Sequence, residues 1–477
     1  MKNVAFHNLG CKVNSYETEV MQQMLQEKGF QIVPFDKKAD IYIINTCTVT
    51  NIADRKSRQM LHRARQLNPD AVVVAAGCYV QSGRDRLETD DSVDLLVGNN
   101  RKKDIAEILE EYLRERTPGD LSGKSGDGTE EVPGCEGAGD GSPGRRCADK
   151  TLGGTTIIDI ARTREYEEMM LKRPAERTRA YIKIQDGCNQ FCSYCAIPYS
   201  RGRVRSRRAE DILEEIRGLA AAGVREAVLT GIHLSSYGMD NGGSLIELAE
   251  RIQELEGIRR IRLGSLEPRF ITEETARRLA GIPKLCPHFH LSLQSGCDST
   301  LKRMNRRYTT GEYYQSVEYL RKYFQRPAVT TDVIVGFPGE TEEEFARTKA
   351  FLEKVRFYEM HIFKYSCRAG TAAAAMPGQV PEQVKARRSD ELFEMERRQS
   401  REFRQAYIGN EAEVLLEEMM ETENGVYITG HTRDYVRVAV KMPGDSPAGD
   451  GAASCALAPN MTVKVSVRDF LTEDILM

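Results

Sequence analysis

The sequence predicts an α/β protein in three parts: a doubly wound parallel sheet over residues 1–116, a partial (β/α)6 barrel over 156–408 and a small β-barrel over 409–477. Short apolar runs alternate with helical patterns through the first and central parts, the signature of parallel strands joined by crossover helices. Between them, residues 117–155 hold 11 glycines among 39 residues, and read as a flexible insert with too little apolar matter to order itself. Beyond residue 409 the hydrophobic period falls to two, the alternation of half-buried strands.

Composition bounds the function classes. Hydrophobic content of 40 % and charged content of 29 % are those of a soluble globular chain. No apolar run approaches the roughly 20 residues a bilayer span needs, and residues 1–10 lack a signal peptide's charged-then-apolar profile. The expected compartment is the cytoplasm, with no membrane partner. There, the twelve cysteines are metal ligands or reduced thiols rather than a disulfide framework. A net charge of −3 argues neither for nor against nucleic acid. Any RNA contact must come from local patches.

In the first part, residues 4–9, 41–46 and 71–76 read as strands, and 15–28, 51–67 and 102–113 as helices. Each strand runs straight into a cysteine: NLGCK at Cys11, INTCT at Cys47 and AAGCY at Cys78. The carboxyl ends of an open parallel sheet share one edge, where ligands bind. One buried cysteine at a strand end is ordinary packing, but three in equivalent positions point to a three-cysteine cluster. Cys135 and Cys147, inside the insert, are incidental. Residues 156–160 read as a strand and 162–177 as a charged helical connector.

The central part opens on YIKIQDGCNQFCSYCAIPYSRGRVRSRR (181–208), which spaces Cys188, Cys192 and Cys195 as C-x3-C-x2-C after a short strand. Thiolates are soft ligands for iron–sulfur clusters and for zinc. Structural zinc wants a fourth ligand at a comparable spacing, and none stands between Cys195 and Cys286. Three ligands on a four-iron cube leave one iron open to a substrate or cofactor. Further strands are expected at 226–230, 260–263, 288–293, 329–335 and 359–364, too few for a closed eight-fold barrel.

Loops at the strand ends, LTGIHLSSYG (229–238), SLEP (265–268), HLSLQSGCDSTLKRM (290–304), GFPGE (336–340) and YSCRAGTAA (365–373), stand where a parallel barrel places its site. Thr341 and Glu344 make a capping-box pattern after GFPG. Cys286, Cys297 and Cys367 have no partner spacing and read as free thiols. After the cysteine loop, Arg201, Arg203, Arg205, Arg207 and Arg208 follow one another with no acid among them. A charge run is usually a solvated face, but guanidinium forks match phosphate geometry, so beside a cluster loop this run is expected to meet RNA.

Residues 381–407 read as a long charged helix, a solvated strut to the last part. Strands then follow at 412–416, 426–429, 436–440 and 463–467, suggesting a small barrel similar to an oligonucleotide-binding fold. The stretch 442–459, Cys455 included, reads as a second insert.

GCKVNSYETE (10–19), NTCTVT (45–50), AGCYVQ (76–81), GCNQFCSYCAIPYSRGRVRSR (187–207), LSLQSGCDSTLKRMNRRYT (291–309) and TDVIVGFPGETEEEF (331–345) together resemble the methylthiotransferases, radical S-adenosylmethionine (SAM) enzymes. The resemblance spans nearly all the chain except the two inserts. It implies an N-terminal cluster domain, a central radical SAM half-barrel and a C-terminal TRAM domain that carries much of the RNA affinity. It assigns Cys11, Cys47 and Cys78 to an auxiliary [4Fe–4S] cluster and Cys188, Cys192 and Cys195 to the SAM cluster. Tyr194, Glu267 and Gly336 become candidate SAM contacts, and Arg201, Arg203, Arg205 and Arg207 candidate RNA contacts.

The motif GCKVNSYETE resembles the subgroup that methylthiolates threonylcarbamoyl-adenosine next to the tRNA anticodon. Sister groups act on isopentenyl-adenosine in tRNA or on an aspartate of ribosomal protein uS12. The implied chemistry is reductive SAM cleavage to a 5′-deoxyadenosyl radical, hydrogen abstraction at ring carbon two of adenine, sulfur insertion from the auxiliary cluster and methylation by a second SAM. It implies tRNA, an external electron donor such as flavodoxin or ferredoxin and a sulfur source as partners of a monomeric enzyme. The chain departs from the family pattern in its Gly-rich insert and in APNMTVKV (458–465), where a glycine is expected before the last strand. Two rival readings stand beside this one. A cobalamin-dependent radical SAM methylase usually carries a D-x-H-x-x-G motif, which is absent. A non-catalytic iron–sulfur RNA-binding module would not cleave SAM on reduction.

Overall fold

The protein's computed structural model describes residues 2–116, 157–174, 178–442 and 457–477. The bulk of the Gly-rich insert with Cys135 and Cys147, and the stretch holding Cys455, lie outside the described residues.

Strands β1 (Asn3–Asn8), β2 (Gln31–Val33), β3 (Ile41–Thr46), β4 (Val72–Gly77) and β5 (Leu95–Val97) form one sheet in the order β2-β1-β3-β4-β5. All neighbours are parallel. Helices α1 (Lys12–Glu27), α2 (Asn51–Leu67), α3 (Cys78–Ser82), α4 (Arg84–Glu88) and α5 (Ile105–Arg116) connect them. Because strand side chains alternate, β3 and β4 feed two cores. Ile41, Ile43, Val72 and Val74 pack with Tyr16, Val20 and Leu109 of α1 and α5. Tyr42, Ile44 and Val73 pack with Leu61, Ala64 and Leu87 of α2 and α4. Each such buried side chain contributes roughly 1.5–3 kcal/mol. The edge strands β2 and β5 have three residues each, too short to display a period in the sequence. The order reverses between β1 and β3, which makes their carboxyl ends the sheet's ligand-binding crevice.

The central part contains β6 (Arg179–Asp186), α6 (Ile197–Arg201), β7 (Arg205–Ser206), α7 (Ala209–Ala221), β8 (Glu226–Gly231), α8 (Leu245–Gln253), β9 (Arg260–Leu263) and α9 (Glu273–Ala280). It continues with β10 (His288–His290), α10 (Asp298–Arg303), α11 (Thr310–Tyr323), β11 (Ala328–Val335), α12 (Glu342–Val355), β12 (Glu359–Lys364) and α13 (Glu382–Gln405). Parallel strands β6-β8-β9 and β10-β11-β12 are joined by bridges at Ile261/Leu285 and Leu266/Leu291. The Leu266 N–H donates to the His290 carbonyl at 2.8 Å. The six strands therefore curl as one half-barrel. The short β7, which no sequence period announced, pairs antiparallel with the end of β6. The capping box at Thr341 and Glu344 is present as the sequence predicts.

Two expectations are corrected here. Residues 157–174 form neither helix nor strand. Their backbone groups are taken instead by side chains of neighbouring elements. Tyr16 donates to the Met169 carbonyl, Glu215 accepts from the Leu171 N–H, and Gln23 accepts from the N–H groups of Lys172 and Arg173. A helix would withdraw those groups into its own ladder. The charged helix α13 is no solvated strut: Arg388, Leu392, Met395, Gln399 and Arg404 are buried along it, and Arg388 pairs with the buried Glu340 at 2.8 Å.

The last part is a four-stranded antiparallel sheet, β13 (Glu411–Thr422), β14 (Gly425–Thr432), β15 (Arg437–Lys441) and β16 (Thr462–Ser466), in the order β15-β14-β13-β16. Val414, Leu416, Ile428, Val436 and Val438 share a core with Ala328, Tyr358 and Tyr407, so this sheet is seated on the half-barrel. In the stretch before β16 where a glycine is expected, Asn460 adopts φ +72° and donates through its side chain to the Gly223 carbonyl at 2.6 Å. Asparagine tolerates the left-handed region, so the turn is kept without glycine.

Candidate functional site: two trios of thiols

Cys11 follows β1, Cys47 follows β3 and Cys78 opens α3 directly after β4, so the three thiols converge on one edge of the first sheet. Cys11 is exposed, whereas Cys47 and Cys78 are buried. Gly10, at φ +107°, gives the cradle its shape: a Cβ there would stand 2.9 Å from the Cys47 sulfur. Burial pushes the Cys47 thiol up to about 12.

The second trio is built locally. The β6 strand delivers Gly187, whose φ of +72° and position against the Arg203 carbonyl exclude any Cβ. The loop then turns back on itself, with Cys195 N–H donating to the Cys192 carbonyl at 3.0 Å. Its rim is fastened from outside, since Ser193 donates to the carbonyls of Met304 and Arg303 and accepts from the Ala373 N–H. Burial pushes Cys188 up to about 11 and Cys195 up to about 12. As thiols these groups would be protonated, so a metal centre must displace their protons on binding.

The donor sets fit iron–sulfur cubes better than single ions. Neither trio brings its three sulfurs within 4.8 Å of one another; among the described residues only His290, Asp332 and His361 form a group that close. A lone zinc ion gathers its ligands onto one centre. A cube spreads its thiolates over separate irons.

A buried charge cluster that no sequence motif announced touches the Cys78 sulfur through Arg201 and includes Asp186, two residues before Cys188. Glu17 of α1 pairs with Lys102, with Lys183 of β6 at 2.7 Å and with Arg201 of α6 at 2.9 Å. Asp186 pairs with Lys183 at 2.7 Å and Arg201 at 3.1 Å. Burial by itself would raise the Glu17 carboxyl, but Arg201, Lys102 and Lys183 outweigh it and hold it well below the ordinary range. Asp186 behaves likewise beside Arg201, Lys183 and Arg205. The signal available in the sequence was Glu17 within GCKVNSYETE, three residues after Asn14 and so on the same helical face.

This cluster overturns most of the expected RNA patch. Arg201, Arg205 and Arg207 are 0 %, 0 % and 1 % exposed. A guanidinium has five N–H donors, and Arg201 commits all of them internally: to Glu17 and Asp186 through Nη1, to Asn14 and Glu17 through Nη2, and to the Cys78 sulfur through Nε at 3.1 Å. Arg205 donates to the carbonyls of Arg201 and Arg203, and Arg207 pairs with Glu215. None of the three presents its guanidinium to a phosphate. Arg203 remains exposed, its guanidinium 4.6 Å from the Phe191 ring. The misleading signal was composition, because the acids that neutralise the run lie elsewhere in the chain.

Of the candidate SAM contacts, Tyr194 meets Phe337 edge to face at 6.5 Å. Glu267 accepts from Gln190, inside the cysteine loop, at 3.2 Å. Burial would raise its carboxyl, but the hydrogen bond from His233 lowers it below the ordinary range. Gly336, at φ +71°, donates its N–H to Glu340 at 2.6 Å, and a Cβ there would strike Lys385 at 2.3 Å. Turn geometry and packing already account for that glycine. Cys286 and Cys297 are buried free thiols and Cys367 is an exposed one.

Comparison with known proteins adds relatives to this geometry. The Radical SAM superfamily matches residues 182–352, and the Uncharacterized protein family UPF0004 matches residues 3–98. The threonylcarbamoyladenosine tRNA methylthiotransferase MtaB of Bacillus subtilis is 39 % identical over 92 % of this chain and 91 % of its own length. That of Thermotoga maritima is 37 % identical over 87 % of each. The tRNA-2-methylthio-N(6)-dimethylallyladenosine synthase of Carboxydothermus hydrogenoformans is 36 % identical over 89 % of this chain and 90 % of its own. Among solved structures, the radical SAM methyltransferase TsrM of Kitasatospora setae superposes with a TM-score of 0.50 at 17 % identity, covering 76 % of this chain and 73 % of that one. That last likeness speaks for the fold alone.

Proposed function

Because the chain belongs to the radical SAM methylthiotransferases, we propose that it adds a methylthio group to ring carbon two of threonylcarbamoyl-adenosine beside the tRNA anticodon. The observation that supports the methylthiotransferase chemistry is the pair of thiol trios on two different parallel sheets, with Arg201 donating to the Cys78 sulfur and paired with Asp186, two residues before Cys188. Cys188, Cys192 and Cys195 would hold the cluster that binds SAM, and Cys11, Cys47 and Cys78 the auxiliary one. When bound, the first supplies a low-potential electron to SAM and the second an iron site for sulfur.

The chain's own residues do the rest. Glu267, ionised and hydrogen-bonded to the Cys188 loop, suits a cationic amine such as that of SAM, while Tyr194 and Phe337 form an apolar wall beside the loop. Arg203 and Arg208 are the exposed members of the arginine run, left to meet phosphate. The threonylcarbamoyl substrate is favoured by the names of the MtaB relatives and by the motif GCKVNSYETE. The enzyme would act in the cytoplasm as a monomer fed by a flavodoxin- or ferredoxin-type donor and a sulfur source.

Mass spectrometry of tRNA nucleosides from a deletion strain, with and without the gene restored, tests the substrate. Loss and recovery of 2-methylthio-threonylcarbamoyl-adenosine is expected. Loss of the isopentenyl-adenosine derivative instead would favour the activity named for the Carboxydothermus relative. Unchanged tRNA would turn attention to an aspartate of uS12.

A further inference from the structure

Each trio has one arginine aimed at one of its sulfurs. Arg201 is fully buried and places Nε 3.1 Å from the sulfur of Cys78. Arg306, on the loop after α10, places Nη1 3.3 Å from the sulfur of Cys192. The residues come from different elements, yet both pair a guanidinium N–H with the sulfur of a proposed cluster ligand.

The anchoring differs. Arg201 is held by two carboxylates, Glu17 and Asp186, and by the Asn14 side-chain oxygen at 2.6 Å. Arg306 is held by neutral acceptors, the Tyr308 hydroxyl at 3.0 Å and the Ser292 carbonyl at 3.2 Å, and lies over the Tyr308 ring. The Glu17 and Asp186 carboxylates are shared with Lys102, Lys183 and Arg205. The Glu267 carboxylate, hydrogen-bonded to Gln190 of the same loop as Cys192, faces Arg306 as well.

Hydrogen bonds to ligand sulfurs, net charge and solvent exposure set the potential of an iron–sulfur cluster. Reduction adds an electron whose density reaches the thiolate sulfurs, so an N–H donor and a positive charge favour the reduced form and raise the potential. We propose that Arg201 and Arg306 are positioning residues that tune the two clusters separately, Arg201 the auxiliary one through Cys78 and Arg306 the SAM-binding one through Cys192. This rests on the ligand assignment under the proposed function.

The test is redox titration followed by electron paramagnetic resonance on the full chain, anaerobically reconstituted. Each cluster is read alone, in a background where the other trio is changed to alanine. Arg201→Lys is expected to lower the potential of the auxiliary cluster and leave the other unmoved. Arg306→Lys is expected to do the reverse, because the shorter ammonium loses the guanidinium N–H at the Cys192 sulfur. Unchanged potentials at full iron loading, or both clusters shifting together in either variant, would overturn the proposal.

Should Arg201→Lys fail to fold, the wild type gives a second reading. Pulsed paramagnetic resonance of protein labelled with 15N at arginine alone is expected to show a 15N coupling at each reduced cluster, which the Asn99 and Gln190 donors to Cys78 and Cys188 would not give. Its absence at either cluster would overturn the assignment there. If a wild-type trio takes up no iron when the other is removed, the ligand assignment itself fails, an outcome distinct from unshifted potentials.

Discussion

The two trios reach the same chemistry by opposite routes. Cys188, Cys192 and Cys195 sit on one loop, shaped by Gly187 and a single internal turn. Cys11, Cys47 and Cys78 have no local relation at all; only the parallel order of β1, β3 and β4 sets them side by side. The loop site is thus a property of about eight residues of chain, whereas the strand-end site is a property of a whole sheet and of the charge cluster behind it. The strand-end site should therefore be the more sensitive to distant changes.

The most drastic comparison removes one ligand from each. Cys47→Ala and Cys192→Ala are both expected to abolish methylthiolation, and each should lower iron content from about eight to about four per chain. SAM cleavage on reduction separates them, surviving in Cys47→Ala and lost in Cys192→Ala. Retained methylthiolation in Cys47→Ala would remove the strand-end trio from the reaction.

Next comes the charge cluster. Glu17→Gln leaves Lys102, Lys183 and Arg201 facing one another in the interior, and removing one partner of a buried ion pair costs about 3–5 kcal/mol. Denaturant unfolding should register that loss, with iron released from the strand-end trio before the loop trio. Simultaneous release would show that the loop depends on the sheet as well.

Acid should weaken the same cluster more gently. Glu17 and Asp186 are held below their ordinary range in the folded protein. Their contribution is complete above the unfolded carboxyl values of about 4. It is lost as pH falls through the lower folded values. Equilibrium unfolding of the iron-free protein is thus expected to lose stability with acid below about pH 4, and Glu17→Gln should flatten that slope.

The smallest effect belongs to Arg203, an exposed member of the run. Arg203→Ala should change stability by less than about 0.5 kcal/mol. It should reduce the salt dependence of tRNA binding by about one unit of slope. Arg207→Ala, in contrast, strands Glu215 and should act on folding.

The sequence by itself determined the three-part order, the six candidate cysteines and nearly every strand of the half-barrel, because period, spacing and turn residues are local properties of the chain. Even the missing glycine before β16 was absorbed locally, by Asn460 taking the left-handed conformation. Tertiary structure alone decided what the charged side chains do. Arg201, Arg205 and Arg207 read as a phosphate-binding run, but their partners Glu17, Asp186 and Glu215 come from other elements. Residues 162–174 carry a helix's composition yet form no helix, because Tyr16, Gln23 and Glu215 bind their backbone. A charge's energy depends on what surrounds it in space, and neighbours in space are the one thing a linear pattern does not contain.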